Sequence, residues 1–207
     1  MKLRKNVALR NLFFYNGIFC FAQNLLGPLY AVFVQRIDNK IIWVSIAWAT
    51  SLVSTTFFVY ILSRVGDRFR DKNLLLAGFL IRSVAWFLFL FVNSIPALLG
   101  NMILVGLGEA VGTPAFNAIF AEHLDDGCHV AEYSDWSVVL NIMLAGGTVI
   151  GGLVVSRFGF KPIFVMMSLL SLFAFWGTYT KRTVYDLNLT RQSKRKCTTK
   201  SDTTLGD

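Results

Sequence analysis

Long apolar runs alternate with short polar breaks along this chain, at roughly Leu12–Val34, Ile41–Leu62, Asn73–Val92, Ile95–Ala121, Trp136–Val155 and Phe160–Tyr179. Each run is about 20 residues or longer, enough at about 1.5 Å per residue to cross about 30 Å of hydrocarbon. Backbone N–H and C=O groups have no partner in lipid, so each run is predicted to be a helix that satisfies its own hydrogen bonds. A transmembrane β-barrel would show shorter segments of alternating polarity, and these runs do not alternate. The pattern therefore predicts an all-α integral membrane protein with six spans. Residues 1–11 form a basic N-terminus, 12–180 the transmembrane domain, and 181–207 a polar, basic, Ser/Thr-rich tail expected to be disordered.

Composition sharpens this picture. Hydrophobic residues make up 55 % of the chain and charged residues 15 %, well below the quarter typical of soluble domains. The first run is too long for a signal-peptide core and lacks a small-residue cleavage site, so it counts as a span. Cys20, Cys128 and Cys197 have neither a disulfide framework nor metal-ligand spacing. The net charge of +8 does not indicate nucleic acid, because its distribution points to membrane topology and to lipid as the partner. The N-terminus, the second loop (Arg64, Arg68, Arg70, Lys72) and the C-terminal tail together carry 15 Lys and Arg, against 4 on the opposite side (Arg36, Lys40, Arg157, Lys161). This bias predicts that both termini lie in the cytoplasm, with the spans in the plasma membrane. The fourth loop holds His123, Asp125, Asp126, Cys128 and His129. An acidic loop is the expectation there, and no metal, cofactor or catalytic site is predicted, since no G-x-S-x-G or H-E-x-x-H run occurs.

Three stretches carry a resemblance. The second loop, SRVGDRFRDK, resembles the G-x-x-x-D-R-x-G-R-K loop between helices 2 and 3 of the major facilitator superfamily of secondary transporters. Asp67, Arg68 and Lys72 match it, while Ser63, Arg70 and Asp71 depart from it. The fourth span reads LVGLGEAVGTPAFNAIFAEHLD, similar to that family's G-L-G…P-A…A-E run. The fifth and sixth read GTVIGGLVVSRFGFKPIFVM, similar to its G-x-x-x-G-G, tight turn and following helix. Thr148 stands where the antiporter form has Pro, so that subclass is not indicated. The likeness covers one six-helix half, two inverted three-helix repeats, and extends to compact half-length bacterial members. It implies secondary transport of a small solute by alternating access, with no cofactor and no enzymatic activity. The alternative is a non-transporting subunit or remnant that modulates a partner.

Arg82 and Glu109 are the two charges that no choice of span ends moves out of the hydrocarbon. Each costs about 3 kcal/mol or more at the bilayer centre, and the two fall at similar depth on consecutive spans. A structural ion pair and a transport role for Glu109 both stay open. Asn16 and Gln23 share a face of the first span, with Asn24 beside them. The resemblance puts this span against a water-filled cavity, and interhelical hydrogen bonding is the plainer alternative. Asn117 and Asn141 are further cavity candidates. Pro28 and Pro114 are expected to bend the first and fourth spans. Asp67, with Arg68 and Lys72, is implied by the resemblance to be a gating loop.

One half alone would leave the polar faces of the first and fourth spans against lipid. A homodimer, or a second separately encoded six-helix half, is therefore expected to cover them. The small-residue seam of Gly147, Gly151 and Gly152 is expected to lie at or beside that contact. Cysteines on the first or fifth span are expected to trap the dimer, and cysteines on the third or sixth are not.

Overall fold

A computed structural model of the chain describes residues 7–65, 70–122 and 129–180. Among these residues there are seven α-helices and no strand: α1 (Val7–Leu26), α2 (Leu29–Ile37), α3 (Ile42–Val65), α4 (Asp71–Leu88), α5 (Ile95–Glu122), α6 (His129–Phe158) and α7 (Phe160–Thr180). Five are long and apolar enough to cross a membrane, and α1 with α2 makes a sixth, broken span.

The first span is thus not one continuous helix. Pro28 has no N–H to continue the ladder of α1, and Gly27 takes φ +28° beside it. The chain restarts as α2 at 47° to α1. The fourth span behaves differently, since α5 runs unbroken through Pro114. Between α6 and α7 the chain turns on Gly159 alone, at φ +79°, a conformation that side chains rarely adopt. The loop carrying Asp67 and Arg68, the acidic fourth loop and the basic tail lie outside the described residues, while Lys72 sits in the first turn of α4.

Helix pairing has an internal order. The α1 helix packs on α6 and α5 on α3; α4 packs on α5 and α7 on α1; α4 and α7 pack on each other. Advancing every span by three maps this set onto itself. Three spans also reverse the chain's direction, so the fold consists of two inverted three-helix repeats, as the resemblance implies.

Since lipid is as apolar as leucine, the helices must be held by close packing and short polar links. Glycines set the tightest crossings. Gly78 of α4 meets the backbone of Gly112 on α5, where an added Cβ would lie 2.5 Å from the Gly112 Cα. Gly106 of α5 meets Ser51 of α3, and Gly147 and Gly151 of α6 meet the backbone of α1 at Phe21 and Leu25. Hydroxyls and one amide bind neighbouring helices directly. Ser171 donates to the Phe79 carbonyl at 2.8 Å, Asn101 to the Ala85 carbonyl at 3.1 Å, and Ser54 to the Ile103 carbonyl at 2.9 Å. Tilted and edge-on aromatic contacts fill both ends of the bundle, around Phe33 and Phe164 (centroids 5.0 Å apart) and around Phe13 and Trp136 (5.0 Å).

The glycine seam packs largely within the chain. Gly147 and Gly151 are used up against α1 of the same chain, because only a residue without a side chain lets the two backbones come so close. Gly152 alone of the three faces open space. Burial shows which helices keep most of their surface outside the bundle: half of the apolar window of α4 is inside it, but only 11 % of those of α3 and α6.

Candidate functional site: a charged partition between two cavities

The centre of the bundle is built around Arg82. The first repeat brings this side chain inward from α4, and it is only 4 % exposed. It can lie flat there because Gly108 on α5 offers no side chain; an added Cβ would sit 2.6 Å from the Arg82 Cγ. Its Nη2 forms an ion pair with the Glu109 Oε2 on α5. Its Nη1 donates to the Gln23 Oε1 on α1 at 2.8 Å. The guanidinium carbon stands 5.1 Å from the Phe19 ring centroid, within cation–π range. Glu109 is further held by Thr113, one turn on, whose hydroxyl donates to Oε1. Four side chains from three spans thus form one network, in which a carboxylate offsets the charge that burial penalises most.

The two charges are not equally enclosed. The Glu109 side chain is 36 % exposed, nine times the figure for Arg82. Arg82 also keeps an N–H without a partner, since Nε is buried and makes no hydrogen bond among the described residues. A buried donor left unpaired is costly and uncommon.

Two cavities flank this network. One, of about 210 Å³, extends toward the side where α1 begins and α7 ends, between Asn16, Leu75, Phe116, Asn117 and Trp136. The other, of about 400 Å³, extends toward the opposite side, between Asn24, Tyr30, Trp48, Phe89 and Met102. Their walls have three residues in common, Gln23, Arg82 and Glu109. The polar network is therefore a partition shared by the two cavities.

The family model described as Major Facilitator Superfamily matches residues 12–200. The chain belongs to the major facilitator superfamily. No curated protein matches it at a significant level. Members of this superfamily are membrane transporters. The partition and its two cavities lie within the matched segment of this transporter.

The structure sorts the predicted residues. Gln23, Arg82 and Glu109 come together in the partition. Asn16 and Asn117 line the smaller cavity, and Asn24 lines the larger. Among the described residues, Asn24 donates to the Cys20 carbonyl of its own helix at 3.2 Å, and Asn16 reaches the Cys20 sulfur at 3.8 Å. Asn141 lies on the exposed face of α6 and lines neither of these cavities. Asp67 and Arg68 lie outside the described residues. Sequence reasoning missed Thr113, Gly78, Gly108 and Gly112. Spacing held a signal for two of them: Gly108 and Gly112 are four apart, the interval that opens a helix face to close approach.

Proposed function

We propose that this chain carries out secondary transport of a small solute by alternating access, along the path from one cavity through the partition to the other. The observation that supports this reading most is the shared wall. Gln23, Arg82 and Glu109 are the groups that a solute passing between the cavities must meet. They come from α1, α4 and α5, so both inverted repeats contribute, and a tilt of one repeat against the other would open one cavity while closing its opposite. The basic bias supports cytoplasmic termini.

The working unit in this proposal is a two-fold pair of six-span halves. Gln23, Thr113, Asn117 and Asn141 are exposed at hydrocarbon depth, where polar groups need cover. The unpartnered faces belong to α3 and α6, which makes these helices the contact, while α1 is engaged within its own half by α6 and α7. The two-fold partner is a second copy of this chain, its α6 against α3. Disulfide trapping in native membranes between Thr56→Cys on α3 and Asn141→Cys on α6 is expected to give a dimer. Leu80→Cys on α4 and Phe173→Cys on α7 should leave the chain uncrosslinked. A trapped species of any mass other than twice that of the chain would reject the homodimer.

Alternating access is tested without knowing the solute. In a background with Cys20, Cys128 and Cys197 replaced by Ser, Asn117→Cys probes one cavity and Leu52→Cys the other. Methanethiosulfonate reagents react with thiols that water has ionised, so labelling reports a wet cavity. A bulky label at position 117 should wedge that cavity open and slow the reaction at position 52, and the reverse should also hold. Labelling at each site indifferent to the other would overturn the reading.

A further inference from the structure

Resting on this transport reading, the partition also points to what is carried. The relevant facts are charge, donors and walls. Arg82 and Glu109 sum to zero charge, and the region is too apolar to hold an uncompensated ion without a large cost. A cation arriving at Glu109 would leave a net positive charge beside a guanidinium that does not deprotonate in proteins. A bare anion at Arg82 would leave a net negative one. One ionic exchange keeps the sum at zero: a proton enters on Glu109, and an incoming monoanion takes its place on Arg82.

The geometry suits that exchange. Arg82 has an unpartnered Nε beside the Nη2 that Glu109 occupies, and Nε with Nη2 is an edge that a carboxylate spans with two parallel hydrogen bonds. Glu109 is the reachable member of the pair and lines both cavities, with Thr113 to hold it once it lets go of Arg82. The walls choose the rest of the solute. Beyond the partition the larger cavity offers Trp48, Trp86, Phe89, Met102 and Met167, with Asn24, Tyr30 and Ser51 as its polar side chains, a lining that suits an apolar body.

We propose that Arg82 is the binding site for a small, apolar-bodied monocarboxylate, which displaces Glu109 as Glu109 takes up one proton. The cycle balances. The proton goes onto a Glu109 carboxylate oxygen, the Arg82–Glu109 pair breaks, and an Arg82–solute pair forms. On the far side the solute leaves as an anion, Glu109 returns its proton to water and re-pairs with Arg82. One proton and one monoanion cross together, so no net charge moves. Among the described residues, the charged or titratable groups that line the cavities with Glu109 are Arg82 from α4, Cys20 from α1 and Tyr30 from α2; α3, α6 and α7 contribute only side chains such as Ser51, Trp136 and Met167.

The test uses the full chain in lipid nanodiscs and its own tryptophans, since Trp48, Trp86 and Trp136 line the cavities. The probes are hexanoate, hexanamide, hexylamine and glucose. Hexanoate is expected to quench fluorescence saturably, with affinity rising by up to about tenfold for each unit of falling pH, as uptake of one proton requires. Glu109→Gln, which holds the site as the protonated acid would, should bind hexanoate without that pH dependence, and hexanoate should raise its melting temperature by supplying the missing partner of Arg82. The double variant Arg82→Gln/Glu109→Gln is neutral and should fold, but should bind no hexanoate. Hexanoate quenching that survives in the double variant would overturn the assignment, as would preferential binding of hexanamide, hexylamine or glucose. Silence from all four probes would overturn it too. Reciprocal labelling at positions 52 and 117 would then still show whether alternating access stands without it.

Discussion

Glu109→Gln should destabilise this protein more than Arg82→Gln, and the double substitution should recover much of either loss. Breaking a buried ion pair by removing one partner costs roughly 3–5 kcal/mol, because the remaining charge is left without compensation. That range applies to Arg82, which is 4 % exposed and cannot shed its charge. Its remaining partners after Glu109→Gln would be the Gln23 carbonyl and the Phe19 ring, both neutral. The opposite change strands Glu109, but that side chain is 36 % exposed to the cavities and can take up a proton, so its loss should fall below that range. Thermal melting of the purified variants by size-exclusion recovery would provide the cycle. A coupling energy near zero, or a greater loss for Arg82→Gln, would contradict the pairing and its asymmetry.

How far the sequence reached can be judged from the same residues. The spans were readable because hydrocarbon imposes length and apolarity on every helix. The depth match of Arg82 and Glu109 was readable too, since distance along a helix is a fixed rise per residue. Rotation about each helix axis was not. That variable decides that Gln23 rather than Asn16 meets Arg82, and that Gly147 and Gly151 face α1 rather than a second copy. Every span is apolar nearly all round, so no polar stripe fixes its rotation, and the crossings of particular glycines do so instead. The two cavities were unreadable for the same reason: one takes its walls from four helices and the other from six, and the partition exists only where three of them meet. The gating-loop residues Asp67 and Arg68 remain an implication of the family motif.

Those crossings lead to the second large effect. Gly78→Val should both destabilise the bundle and loosen the partition. A side chain at this position would run into the Gly112 backbone, at 2.5 Å from its Cα and 2.8 Å from its nitrogen. Backbone cannot rotate aside as a side chain can, so α4 and α5 must separate, and overpacking of this kind costs roughly 1–3 kcal/mol or more. Gly78 is one turn from Arg82 on α4, and Gly112 is one turn from Glu109 on α5, so the same wedge drives the paired charges apart. Gly151→Val should be as damaging through a different contact, the Leu25 carbonyl on α1, but it leaves the α4–α5 crossing intact. Gly100→Val and Gly152→Val meet nothing within 4 Å and serve as controls of equal chemistry. Melting temperatures should fall for Gly78→Val and Gly151→Val and hold for the two controls. The variants separate in the labelling assay: only Gly78→Val should let reagent added on the side of one cavity reach a cysteine in the other, because only there is the wall between them breached. Equal leakage in Gly151→Val would mean that the barrier is kept by general packing and not by Arg82 and Glu109.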